Sequence, residues 1–213
     1  MVLTNQWYLY SAAIEKLVCD KIIGLGKEKF KKASIDVPVS RDLSAEERSS
    51  GIKPNVGVDE SIRISDVVFL NEDWLFELVW PFIKEANVHA GWNYDIRSCE
   101  SQQLTRYKKG GYYKWHTDGR SDSLSAYNDP SNVHINGYVR KLSLSLLLND
   151  NFEGGDFQIA SYLGEKFEAM TPIDLNLSGT VLVFPSFLEH RVTPVIKGTK
   201  YSLATWFLGP PFK

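Results

Sequence analysis

Between Ser11 and Lys31, the apolar residues Ile14, Leu17, Val18, Ile22 and Ile23 return at helical spacing with charged positions between them. That pattern predicts an amphipathic helix. A second helix is predicted from Asp73, a capping residue, through Trp74, Leu75, Leu78, Val79, Phe82, Ile83 and Ala86, with Pro81 limiting its regularity. Residues 33–56 mix Pro, Ser, Gly and charges and predict a loop with a mobile tip. From about residue 91 the pattern changes to short runs rich in Thr, Tyr, Val and Leu, broken by Gly, Asn, Asp and Pro. Strands are predicted over roughly 101–107, 112–117, 140–148, 155–160, 180–184, 188–193 and 199–207. Helices followed by many short strands give an α+β, mainly β fold, an antiparallel barrel or sandwich carrying helices on one face. Leu142, Leu144 and Leu146 alternate with Ser143 and Ser145, as expected where one strand face is packed and the other lines a wetter interior.

The chain has 213 residues, which fits a single catalytic-sized domain, with 1–90 as helical support and 91–213 as the β core. Twenty-four basic and 26 acidic residues leave a formal charge of -2, so no global positive field recruits nucleic acid or acidic lipid. The amino terminus lacks the pattern of a secretory signal, and no stretch approaches the ~20 apolar residues of a membrane span, so residence in the cytoplasm is expected. Cys19 and Cys99 form no metal-ligand pair motif. Gly24 and Gly26 follow a helical pattern where a dinucleotide fingerprint needs a strand, which excludes that reading.

The chemistry concentrates in two segments. In YYKWHTDGR, His116 and Asp118 are two apart, so on an extended chain both side chains leave the same face and can share one ion. His190 follows an apolar strand and a turn in GTVLVFPSFLEHRV, where another strand can bring it alongside. Two imidazoles and a carboxylate on one face of a metal leave sites open for other ligands, an arrangement associated with non-haem iron(II) oxygenases. Ten residues later, Lys200 and Ser202 share a strand face on which an ammonium and a hydroxyl can hold a carboxylate. The bland reading makes Lys200 an edge-strand charge and Ser202 a solvated hydroxyl.

HTD, then His190, then KYS at Lys200 resembles the 2-oxoglutarate oxygenase superfamily, with the prolyl 4-hydroxylase-like branch nearest. LTRYKKGGYYKWHTD, LLLNDNFEGGDF and FPSFLEHRVTPVIKGTKYSLATWF carry the resemblance over residues 101–208. It implies a double-stranded β-helix (a jelly-roll, cupin-like barrel) with supporting N-terminal helices. It also implies Fe(II) on His116, Asp118 and His190, 2-oxoglutarate with its distal carboxylate on Lys200, O2 as co-substrate and ascorbate as a possible reductant. Tyr107 matches a tyrosine that hydrogen-bonds the same carboxylate in these enzymes, and is otherwise a packed strand aromatic. Leu147 falls where many prolyl hydroxylases place a further tyrosine, so one hydrogen bond to the oxoacid is absent or comes from Ser202.

The implied reaction couples oxidative decarboxylation of 2-oxoglutarate to hydroxylation of a C–H bond, with a proline-containing peptide or protein as the substrate. Another amino-acid side chain, a small molecule, or a non-catalytic cupin-type binder are the alternatives. The stretch from Gly119 to Arg140 exceeds the usual loop length and is expected to close over substrate, with Tyr127 and Tyr138 either stacking on it or packing within the loop. His134 is not expected to bind metal. Trp115, Trp206 and Phe207 read as barrel core, and Arg191 as a support for its neighbour His190. The oligomeric state is open.

Overall fold

In a computed structural model, residues 5–36, 56–119, 124–163, 166–170 and 176–212 are described. The tip of the 33–56 loop and residues 120–123 of the 119–140 loop lie outside them. The chain runs β1 (Tyr8–Tyr10), α1 (Lys16–Leu25), β2 (Lys31–Lys32), β3 (Ile35–Asp36), β4 (Val56–Gly57), β5 (Arg63–Ile64), β6 (Asp66–Leu70) and α2 (Asp73–His89). It continues through β7 (Ser98–Cys99), β8 (Gln102–Lys108), β9 (Tyr112–His116), β10 (Val139–Leu147), β11 (Phe152–Gly154) and β12 (Phe157–Leu163). The last strands are β13 (Lys166–Met170), β14 (Val181–Pro185), β15 (His190–Val192) and β16 (Val195–Gly209).

The larger sheet has the order β1-β14-β10-β16-β8-β6-β2, and β7 and β11 also pair with β16; the smaller has the order β13-β12-β15-β9-β5. Every pairing is antiparallel. Period-two alternation divides the larger sheet cleanly. Leu142, Leu144 and Leu146 of β10, Leu203 and Phe207 of β16 and Leu104 of β8 face the helices, and join Leu75, Val79 and Ile83 of α2 and Ile22 of α1 in one buried cluster. The other face meets the smaller sheet, where Tyr107, Phe157, Ile159, Leu182, Phe184, Val192 and Val195 form a second cluster.

All seven strands anticipated in the carboxyl-terminal half are present, with ends displaced by up to four residues. β7, β11 and β13 are additional, because short strands leave too little alternation to read. α1 is shorter than its apolar pattern. Ile14 lies before it, buried and donating its backbone NH to the Gly179 carbonyl at 3.1 Å, and a Cβ on Gly26 would stand 2.4 Å from Leu104 Cδ2. Tertiary packing thus fixes both ends. α2 runs through Pro81 without ending. Helical support for the first 90 residues needs correction: β1, β2 and β6 extend the larger sheet and β5 the smaller. Cys19 and Cys99 are free. Among the described residues no helix is long and apolar enough to cross a membrane.

Candidate metal and oxoacid site

β9 delivers His116, and Asp118 lies two residues beyond it, held by its backbone NH on the Ser186 carbonyl at 2.9 Å. β15 is antiparallel to β9 with His190 directly opposite His116. One ligand atom from each of His116, Asp118 and His190 lies within 4.8 Å of the others. His116 Nε2 is 3.9 Å from Asp118 Oδ1, and His190 Nε2 is 3.5 Å from Asp118 Oδ2. These separations suit donors converging on one ion better than hydrogen bonds.

Orientation comes from the backbone. His116 Nδ1 lies 2.8 Å from the Lys114 carbonyl and His190 Nδ1 2.9 Å from the Leu188 carbonyl. A carbonyl only accepts, so each Nδ1 carries the hydrogen and each Nε2 keeps its lone pair for a metal. The rings are clamped as well: Tyr113 stacks on His116 at 3.4 Å between centroids, and Phe157 and Phe184 flank His190 at 5.3 and 4.8 Å. The Ser143 hydroxyl donates to Asp118 Oδ2 at 2.7 Å and sits 2.9 Å from the Ser186 hydroxyl. The serine face of β10 therefore supports the carboxylate.

Burial, and then His190, push His116 well below the ordinary imidazole value. Burial raises the Asp118 carboxyl, but the two imidazoles, Arg140 and the Ser143 hydroxyl together outweigh it and hold the group below its usual value. A neutral imidazole beside an ionised carboxylate is the state metal coordination requires. Nitrogen and oxygen donors with an open side suit a divalent first-row transition ion, iron(II) among them, and no thiolate is present to favour a softer one.

Lys200 on β16 is 5% exposed and lies directly across from Tyr107 on β8. Its ammonium donates to the Gly155 carbonyl at 2.6 Å, and burial lowers it to about 8. Gly155 has φ +67°, and a Cβ there would meet Val195 Cγ2 at 2.9 Å and Lys200 Cδ at 3.3 Å, which explains the glycine pair of NDNFEGGDF. Ser202 follows on the same face, paired with Leu147, both buried. An aliphatic chain occupies the place of the further tyrosine, leaving Ser202 as the hydroxyl nearby. Burial raises the Tyr107 phenol, so it remains a neutral donor.

Of the three aromatics expected in the core, Trp206 and Phe207 are buried and only Trp115 differs. Trp115 is half-buried, with the Arg191 guanidinium 4.6 Å above its ring, because it points away from the face that carries His116. Trp206 is buried on the Lys200–Ser202 face, covered by Arg140 at 4.0 Å, while Phe207 alone joins the helix-side core. Arg191 donates to Gln158 Oε1 at 2.7 Å, a support on the strand of His190. Arg140 is gripped by both Glu100 oxygens at 2.6 Å, and the Tyr127 hydroxyl donates to Glu100 Oε1 at 2.9 Å. Within the described part of the 119–140 loop, Tyr127 and Tyr138 are joined by the Tyr127 NH on the Tyr138 carbonyl at 2.9 Å. His134 is exposed and offers its backbone carbonyl to the Ser98 hydroxyl.

Sequence reasoning missed Arg63, the Ser143–Ser186 pair and the Glu100–Arg140 pair. The serines had a signal in the LSLSL alternation. Arg63 sits on a two-residue strand, which leaves none.

Over 105 residues the chain is 32% identical to the PKHD-type hydroxylase IL0759 of Idiomarina loihiensis, a match covering 48% of this chain and 39% of that protein. The chain thus spans well under half the length of this relative. It is 24% identical to probable prolyl 4-hydroxylase 6 of Arabidopsis thaliana, over 95% of this chain and 69% of the relative. The fold superposes on the crystal structure of a Pseudomonas putida prolyl-4-hydroxylase with a TM-score of 0.60, at 16% identity and covering 96% of this chain and 92% of the other. That likeness makes the two sheets a double-stranded β-helix. The sequence profile of the 2OG-Fe(II) oxygenase superfamily matches residues 102–208, from the start of β8 nearly to the end of β16, and the chain belongs to that superfamily.

Proposed function

We propose that the protein is an iron(II)- and 2-oxoglutarate-dependent hydroxylase acting on a prolyl residue of a peptide or protein, with the whole chain serving as one catalytic domain. The observation that carries this reading is the meeting of the His116, Asp118 and His190 donor atoms within 4.8 Å of one another, with the buried ammonium of Lys200, across from Tyr107, making no ion pair among the described residues and donating to the Gly155 carbonyl. Iron(II) with 2-oxoglutarate bound supplies the oxidising power, consuming O2 and releasing succinate and carbon dioxide as the substrate is hydroxylated.

The protein's own residues do the rest. His116, Asp118 and His190 would hold iron(II) through two imidazole nitrogens and a carboxylate, leaving room beside them for the oxoacid. Lys200 pairs with the distal carboxylate in a setting where water is scarce, and Tyr107 and Ser202 add hydrogen bonds. Ile159, Leu182, Phe184 and Val195 belong to the buried apolar cluster on this side of the sheet, which would exclude water from the site. Tyr127 and Tyr138 are assigned to the substrate side, where the 119–140 loop would cover the peptide. The name of the Arabidopsis thaliana relative, a probable prolyl 4-hydroxylase, supports the prolyl assignment.

The test is incubation with proline-containing peptides, iron(II), 2-oxoglutarate and ascorbate, reading succinate and peptide mass together. Succinate rising one-for-one with a 16-dalton gain on proline is expected. Substrate-coupled succinate with oxygen on another side chain would overturn the prolyl assignment and leave the hydroxylase.

A further inference from the structure

Along one side, β16 is paired by β10 and β11 in succession, and the ladder is interrupted where one hands over to the other. β10 ends with Leu147 opposite Ser202, followed by the Leu148 NH on the Tyr201 carbonyl at 3.0 Å, and β11 takes over with Phe152 opposite Gly198. Between these points no described strand pairs with Thr199 or Lys200 on that side; on the other side β8 does, through Lys108 and Tyr107. A single side chain bridges the interruption. The Asn149 amide accepts the Tyr201 NH at 2.7 Å and donates to the Thr199 carbonyl at 2.8 Å, so it holds the backbone groups on either side of Lys200. Its other amide hydrogen goes to Asn151 Oδ1 at 2.6 Å. Only one orientation of the amide serves all three partners, since turning it over would set its oxygen against the Thr199 carbonyl. At 8% exposure, Asn149 stands in for a strand residue and satisfies backbone groups that would otherwise be buried unpaired.

The segment that begins at Asn149 also holds the far end of the lysine. Gly155 accepts from the Lys200 ammonium at 2.6 Å and packs against its aliphatic chain. An ammonium has three hydrogens, and one on Gly155 leaves two for a carboxylate. We propose that Asn149 is a positioning residue for the oxoacid anchor, and that the segment from Asn149 to Gly155 thereby sets the length of oxoacid the site accepts. The inference rests on the hydroxylase reading above. A lysine is a point charge on a flexible four-carbon stem, which left free would follow dicarboxylates of different lengths. Asn149 fixes its backbone and Gly155 fixes its head, so the charge becomes a fixed point. With one end of the oxoacid at the His116, Asp118 and His190 centre, the span to that point admits one chain length.

The experiment is calorimetric titration of the full chain loaded with manganese(II), so that no turnover is involved, using 2-oxoglutarate and 2-oxoadipate, one methylene longer. Wild type should bind 2-oxoglutarate the more tightly. Asn149→Ala should bind it about tenfold more weakly, the equivalent of refreezing the backbone of one residue. The variant should hold manganese as wild type does and lose most of its preference over 2-oxoadipate. A general loosening of the fold would weaken both acids alike and leave the preference intact. In a Lys200→Ala background the Asn149 change should cost nothing further, because the restraint acts through the lysine. Wild type without a preference, wild-type affinity in Asn149→Ala, equal weakening for both acids, or a multiplicative loss in the double variant would each overturn the proposal. If Asn149→Ala fails to fold, Asn149→Ser keeps a polar group too short to span both backbone partners, and the same loss of preference is required of it. Wild-type protein that holds manganese and takes neither acid would remove the hydroxylase reading as well. An Asn149 result against the proposal, with wild type binding 2-oxoglutarate, leaves that reading standing.

Discussion

β16 presents two faces that differ in kind. Toward the helices, Leu203 and Phe207 are fully buried among Leu142, Leu144 and α2, with Trp80 5.3 Å from Phe207 between ring centroids. Toward the smaller sheet, Lys200, Ser202 and Trp206 are almost as buried but carry an ammonium, a hydroxyl and an indole. Burying a leucine side chain stabilises a fold by about 1.5–3 kcal/mol. Burying an ammonium that has one neutral carbonyl for a partner works the other way, as its lowered affinity for the proton records. One face holds the molecule together, and the other carries the buried charge on which the proposed oxoacid site depends. Adjacent residues on one strand, such as Ser202 and Leu203, therefore do quite different work, one facing the smaller sheet and the other the helix-side core.

That division makes distinct demands on mutants. The largest effect belongs to the metal triad: Asp118→Ala should abolish metal binding and turnover, read by metal analysis of purified protein, while the far-ultraviolet circular dichroism stays native. Next, Leu144→Ala should lower unfolding free energy by about 2–5 kcal/mol in chemical denaturation, yet leave metal stoichiometry intact in the folded fraction. Lys200→Ala should raise the 2-oxoglutarate requirement by roughly 30- to 100-fold, the loss of one charge-assisted pair with a carboxylate, and spare metal binding. The pH dependence has a definite sign. Lys200 must be protonated to pair with a carboxylate, and burial lowers it to about 8. Oxoacid affinity should therefore be flat below that pH and fall as pH rises through it. Affinity unchanged up to pH 9 would remove Lys200 from the pocket. Ser143→Ala, which removes the 2.7 Å hydrogen bond to Asp118, should weaken metal binding about 10- to 100-fold with little change in oxoacid affinity once metal is saturating.

How much of this was legible beforehand depends on how far apart the interacting residues lie. His116, Asp118 and Lys200 announced themselves through two-residue spacing on strands, and the alternation of Leu142 to Leu146 with serines correctly separated the core face from the site face. The register that puts His190 opposite His116 is a long-range pairing, which spacing alone cannot dictate. Strands β1, β5 and β6 escaped notice because sheet partners far along the chain, not local alternation, define them. Trp115 was misread for a simpler reason: it neighbours His116, and adjacent residues on a strand face opposite ways.

The most direct test of the central claim is anaerobic titration of iron(II)-loaded protein with 2-oxoglutarate, followed by visible absorption. A metal-to-ligand charge-transfer band should grow to one equivalent and be absent in His116→Ala. A band of undiminished intensity in that variant, or none in wild type under saturating iron and oxoacid, would contradict the joint metal and oxoacid site.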